Sequence, residues 1–140
     1  MVSKQIEFRL TLSSNPKNIG KIEGFLKTIG KTVRLDEIQF HKLMVSLTEA
    51  VNNAIIHGNR SLPGRKVQVK CELLPGWILI MIHDQGKGFK PEKVGNPLVK
   101  ENLLRESGRG IFLMRTLMDK VEFEVGKSGT VVRLWLDTNK

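Results

Sequence analysis

Glu49 and Asn53 stand four residues apart in Leu47–Asn59, "LTEAVNNAIIHGN". On a helix that spacing stacks them on one face. A carboxylate beside an amide can orient a hydroxyl or a water. It can also offer an oxygen to Mg²⁺, which takes oxygen ligands and retains waters. At ~100° per residue the pair lies roughly opposite the main apolar stripe of its helix, so a solvated pair is the plain alternative. Val45 and Ile56 flank it, however, so this second face is not fully polar.

A second stretch is His83–Phe89, "HDQGKGF", which follows the unbroken apolar run "WILIMI". Asp84 ends a strand that reads as buried, so its carboxylate is partly desolvated and needs hydrogen-bond donors. The amino group of an adenine is one such donor. Gly86 and Gly88 permit positive φ and a close backbone approach to a ligand. A tight turn accounts for the same residues without any ligand. The third stretch is "SGRGIFLM". Gly108 and Gly110 precede a helix whose first turn has unpaired N–H groups, a ready anion site. Arg109, Lys100 and Arg105 add positive charge nearby. An ordinary glycine-rich helix entry is the alternative.

The elements that must carry these residues are legible from periodicity. Gln5–Leu12 reads as a strand with Ile6, Phe8 and Leu10 on one face. "SSNP" then offers capping residues and a proline near a helix start. Ile19, Ile22, Leu26 and Ile29 predict a helix from Lys17 to about Ile29. Gly20, Gly24 and Gly30 weaken it, each interior glycine costing about 1 kcal/mol against alanine. A stronger helix runs from about Asp36 to Ile56 and stops at Gly58. Phe40, Leu43, Met44, Leu47, Val51, Ala54 and Ile55 share its apolar face. Lys66–Leu74 alternates, "PG" turns the chain, and Trp77–Ile82 is apolar on both faces, as the central strand of a sheet would be. Phe89–Ser107 is a long irregular stretch with Pro91, Gly95, Asn96 and Pro97; loops of that length are usually functional. "GRGIFLMRTLMDKV" reads as a third helix, and Glu122–Val125 with Thr130–Leu136 as a closing hairpin around "GKSG". The order predicts an α+β two-layer sandwich: a mixed, mostly antiparallel sheet with helices on one face.

Composition narrows the function. The 140 residues, 40% hydrophobic and 26% charged, suit one globular domain spanning 1–140. No apolar run approaches the ~18 residues of a membrane span, and the N-terminus lacks the apolar centre of a signal peptide, so the expected location is cytoplasmic. The single cysteine, Cys71, excludes an internal disulfide and a multi-cysteine zinc site, and its alternating surroundings make it a small core residue. His41, His57 and His83 have no metal-ligand spacing. The net charge of +9 would suit a nucleic acid, an acidic protein or a polyanionic ligand. The basic residues are scattered, though. Aromatics are 6% with no tyrosine, and nothing alternates aromatic with basic residues for base stacking, which argues against nucleic acid.

Taken in order, an E-x-x-x-N helix, a strand ending in D-x-G-x-G, a long loop and a G-x-G helix entry resemble the GHKL ATPase superfamily. That group covers gyrase-type topoisomerases, histidine kinases, DNA mismatch-repair ATPases and a heat-shock chaperone. The resemblance spans Phe40 to Leu136. Within it, "TEAVNNAIIHGN" and "GRGIFLMRTLMDKVEF" are most similar to the stand-alone serine/threonine-kinase anti-sigma factors of bacterial sporulation and stress pathways. The resemblance implies a Bergerat-type ATP-binding fold in which Glu49 is the general base and Asn53 holds Mg²⁺. Asn52 points about 100° away and is not assigned. It further implies that Asp84 reads adenine, that Gly86 and Gly88 begin a lid over Phe89–Ser107, and that Gly108, Arg109 and Gly110 meet the phosphates. Gly129–Thr130 matches the family's closing G-T, with Thr130 near adenine.

The implied activity is ATP-dependent phosphorylation of a serine or threonine on a STAS-type anti-anti-sigma protein, with a sigma factor as second partner. The implied assembly is a homodimer built from the first strand and helices, for which Phe25 is a candidate contact. A dimerisation helix with a phospho-acceptor histidine is absent before the domain, which makes a histidine kinase a poor fit. A rival reading is a non-catalytic, ATP-gated anti-sigma binding switch.

Overall fold

The computed structural model describes residues 6–86 and 106–139. The chain runs β1 (Ile6–Ser13), a 3₁₀ turn (Pro16–Gly20), α1 (Lys21–Gly30), α2 (Glu37–Asn53), a π turn (Ala54–Gly58), β2 (Lys66–Leu74), β3 (Trp77–His83), α3 (Glu106–Leu117), β4 (Lys120–Gly126) and β5 (Gly129–Asp137). The strands form one sheet in the order β1-β2-β3-β5-β4. Every pairing is antiparallel, so the expected mixed sheet has no parallel pair among the described strands. Tight turns connect β2 to β3 and β4 to β5, and two-residue hairpins can join only antiparallel strands.

β3 is the middle strand, as its two-sided apolar character predicts. Phe8, Cys71, Ile80, Leu134 and Val121 form one continuous row across all five strands. That row and its neighbours share a core with Ile22, Leu26 and Ile29 of α1, Leu43, Leu47, Ala50 and Val51 of α2, and Ile111 and Met114 of α3. Phe25 is half-buried and packs on the edge of the same core. The opposite face carries a polar ladder in which Lys70 bridges Glu7 at 3.1 Å and Glu72 at 3.0 Å. Trp135 donates its indole N–H to Glu122 at 2.7 Å and meets Trp77 edge-on.

The helix expected from Lys17 to Ile29 is broken at its start. Pro16 and the Asn15 cap set up a 3₁₀ turn, and regular α-helix begins only at Lys21. A 3₁₀ start is common where a proline presets the first turn. α2 opens on a capping box, with Asp36 accepting from the Gln39 N–H at 2.7 Å and Gln39 accepting from the Asp36 N–H at 3.1 Å. Its helical path ends at Gly58 as predicted, but the last turn, Ala54–Gly58, is π rather than α. The wider turn places Gly58 and Asn59 against the end of β3, which matters for the site.

Burial pushes the Cys71 thiol up to about 12. The folded protein at pH 8 should therefore resist iodoacetamide, because the thiolate is the nucleophile and only about one thiol in 10⁴ is ionised. Mass spectrometry should find Cys71 labelled only after denaturant is added; rapid labelling of the native chain would contradict this. The same shift has a sign for stability. A thiol held protonated in the fold contributes stability below its unfolded value near 9, and that contribution is lost as pH rises from 9 towards 12.

Candidate functional site

The site is built on two buried clusters joined by the end of α2. Asn53 is only 3% exposed, and neither its side-chain oxygen nor its nitrogen has a hydrogen-bond partner among the described residues. A buried amide left unpaired costs about 1–3 kcal/mol, which a ligand or an ordered water at this position would recover. The plain alternative of a solvated pair does not hold for Asn53: α3 packs on this face, with Ser46, Ala50 and Asn53 all buried and Glu49 half-buried. The point of closest approach on α3 is Gly110. A Cβ at that position would stand 2.7 Å from Glu49 Oε2 and 3.4 Å from Asn53 Nδ2. A cleft beside it is lined by Glu49, Arg109, Gly110 and Leu113. Glu49 is half-buried there and Arg109 exposed.

Gly108 and Gly110 lie within the first turns of α3, which begins at Glu106, and so do not precede the helix as expected. The N–H groups of that first turn still lack intrahelical partners. Gly110 contributes differently, through the side chain it does not have.

The second cluster surrounds Asp84, which is 3% exposed at the end of β3. Its Oδ1 accepts from the Gly86 N–H at 2.9 Å and the Thr130 N–H at 3.1 Å, and its own N–H donates to the Thr130 carbonyl at 3.1 Å. These bonds fix the carboxylate with Oδ1 occupied by backbone donors. Three glycines make the approach possible. A Cβ at Gly58 would overlap the Asp84 carboxylate, one at Gly86 would overlap the Gly58 carbonyl, and one at Gly129 would overlap the Asp84 carbonyl. Gly129 also holds φ +133°, a backbone state reserved for glycine. Thr130 is buried, and its hydroxyl makes no hydrogen bond among the described residues.

Gly58 connects the clusters. It sits five residues after Asn53, at the end of the π turn, and touches Asp84. Glu49, Asn53 and Gly110 thus form one group, Asp84, Gly86 and Thr130 another, and α2 with the π turn that follows it reaches both. Gly88, Lys100, Arg105 and most of the lid expected over Phe89–Ser107 lie outside the described residues, while its last two residues, Glu106 and Ser107, belong to α3. Among the described residues no group of three or more histidine, cysteine or acidic side chains gathers around a metal position. Sequence reasoning missed Gly58 and Asn59 as site residues. Gly58 entered the sequence reading as a helix stop, although it is where two backbones meet.

The family model for the histidine kinase-like ATPase domain matches residues 12–136. An anti-sigma F factor of Oceanobacillus iheyensis is 36% identical over 109 residues, covering 76% of this chain and 73% of that protein. An anti-sigma F factor of Heyndrickxia coagulans is 30% identical over 139 residues, covering 95% of this chain and 92% of that one. A protein named serine-protein kinase RsbW from Bacillus licheniformis is 27% identical over 124 residues, covering 84% and 78%. The solved RsbU and RsbW domains of a Mycobacterium tuberculosis protein superpose with TM-score 0.69 over 94% of this chain. This chain spans 32% of that structure at 16% identity, so the likeness is one of fold.

Proposed function

The chain belongs to the histidine kinase-like ATPase domain family, and from that premise we propose an ATP-dependent serine/threonine protein kinase and anti-sigma factor. Its acceptor is a STAS-type anti-anti-sigma protein, and a sigma factor is the partner it sequesters. The observation that carries this reading is the buried Asn53 amide, unpaired among the described residues, beside the Glu49 carboxylate and against Gly110 of α3.

The residues fit Mg²⁺ as a companion of phosphate. One amide oxygen, Asn53 Oδ1, has no hydrogen-bond donor among the described residues, and a cation that keeps its waters needs little more from the chain. Bound there, Mg²⁺ would neutralise phosphate charge. Glu49 accepts the proton of the serine or threonine hydroxyl as that oxygen attacks the γ-phosphorus; the bond to the β-phosphate oxygen breaks and ADP leaves. Such transfer depends mainly on positioning and charge. The first-turn N–H groups of α3, Gly108 among them, and the Arg109 guanidinium face the phosphates. Asp84 Oδ2 accepts from the adenine amino group, with Gly86 and Thr130 beside the ring; the roles expected of Gly88 and of a lid over the phosphates fall on residues outside those described.

The same reading keeps residues 1–140 as one domain acting in the cytoplasm. Among the described residues no helix is long and apolar enough to cross a membrane. It also keeps a homodimer, in which the exposed edge of Phe25 is the proposed contact, and an acidic partner surface to match the net charge of +9.

Incubation with labelled ATP, Mg²⁺ and the STAS proteins of the same genome tests it. Label should appear on a serine or threonine of one STAS protein and require Mg²⁺. ATP binding without transfer to any of them would leave the ATP-gated binding switch as the better account. Steeply salt-dependent DNA or RNA binding would favour a nucleic-acid role instead.

A further inference from the structure

Asn59 is fully buried, in the loop directly after the π turn. Both of its amide protons are used: Nδ2 donates to Ser14 Oγ at 2.7 Å and to the Lys66 carbonyl at 2.9 Å. Its Oδ1 accepts from the Gln85 N–H at 2.7 Å. One side chain therefore ties the end of β1, the start of β2 and the residue after Asp84. Gln85 is held a second time, its Oε1 accepting from the Lys66 N–H at 2.7 Å. The next residue, Gly86, donates to Asp84 Oδ1 at 2.9 Å and packs on the Gly58 carbonyl.

We propose that Asn59 is a positioning residue for base recognition, acting through the Gln85–Gly86 backbone to hold Asp84 Oδ2 towards the adenine amino group. The inference rests on the nucleotide reading above and extends it to a residue that touches no ligand. The physical argument is one of constraint. Asp84 Oδ1 is pinned by two backbone N–H groups, one of them from Gly86, and the path of Gly86 is set by Gln85. Without the Asn59 acceptor, the Gln85 N–H is buried or must turn to water, and the loop carrying Gly86 is free to rotate away from Asp84. The carboxylate then samples other rotamers and loses its aim at a single hydrogen-bond donor. Phosphate contacts at α3 and Asn53 do not pass through this loop and should be spared.

The test compares ATP with purine riboside triphosphate, which lacks the adenine amino group, by calorimetry on the full chain. Wild type should prefer ATP. Asn59→Ala should weaken ATP binding about tenfold, the value of one well-aimed hydrogen bond to a charged group, while leaving the analogue within about twofold. In an Asp84→Asn background the Asn59→Ala loss should largely vanish, since both act on one contact. If Asn59→Ala does not fold, Ser14→Ala serves: it removes one anchor of Asn59 and should give a smaller loss, again confined to ATP. Equal weakening of both nucleotides, or none, overturns the positioning role. A wild type that binds ATP and the analogue equally would instead overturn the Asp84 assignment on which it depends.

Discussion

Replacing Glu49 with alanine should lower phosphoryl transfer to the acceptor protein by about 10²–10⁴-fold, the usual weight of a general base, while ATP affinity changes by no more than about threefold. The split follows from where the carboxylate sits. Glu49 lines the cleft with Arg109, Gly110 and Leu113, whereas the proposed adenine contact is at Asp84 and the proposed cation ligand is Asn53. Removing Glu49 takes away a proton acceptor and none of the groups assigned to nucleotide. Because its Oε2 lies close to Gly110, truncation also opens space between α2 and α3, so Glu49→Gln is the needed companion. Glutamine fills the same volume, preserves the helix contact and cannot take the proton. Both variants should lose transfer alike. A glutamine variant with near-normal transfer, or an alanine variant that loses ATP binding in step with activity, would show that Glu49 is a packing residue.

How far the sequence could lead differs between the two clusters. The strands and α2 were legible because their apolar residues repeat at periods of 2 and 3.6, and burial on a shared core enforces those periods. β3 could be placed centrally because "WILIMI" has no polar face to give to solvent. Asp84 stood out because a carboxylate at the end of such a strand needs donors, whereas Thr130 came only from the resemblance of Gly129–Thr130 to the family's closing G-T. Three features were not legible. The break before Lys21 depends on a 3₁₀ turn set by Pro16 and Asn15, which leaves the helical spacing of Ile19 and Ile22 nearly intact. The burial of Asn53 depends on a helix more than fifty residues later in sequence, whose Gly110 lies close against Glu49 and Asn53. Asn59 has no periodic signature at all; its three partners belong to three different segments. Long-range backbone contacts made through glycine and asparagine are invisible to any local window.

Asp84→Asn should cost ATP about 10–100-fold in affinity and remove most of the preference of the wild type for ATP over GTP. The size comes from exchanging a hydrogen bond to a charged acceptor for none, about 1.5–3 kcal/mol. The direction comes from the orientation of the side chain. Oδ1 accepts from both Gly86 and Thr130, so in the asparagine variant the amide oxygen takes that place and keeps both bonds. Its NH₂ must then occupy the position of Oδ2. There a donor meets the adenine amino group, which is also a donor, and the contact turns repulsive. Guanine presents a carbonyl oxygen at the same position of the ring. It is repelled by the native carboxylate and accepted by the amide. The substitution therefore weakens ATP and strengthens GTP through one atom exchange, with the fold protected because the two internal bonds survive. Calorimetry of both nucleotides on both proteins, with melting temperatures to confirm folding, reads the result. Unchanged ATP affinity in a folded Asp84→Asn protein would remove Asp84 from the base pocket. A parallel loss of ATP and GTP would mean that its carboxylate holds the loop and does not read the base.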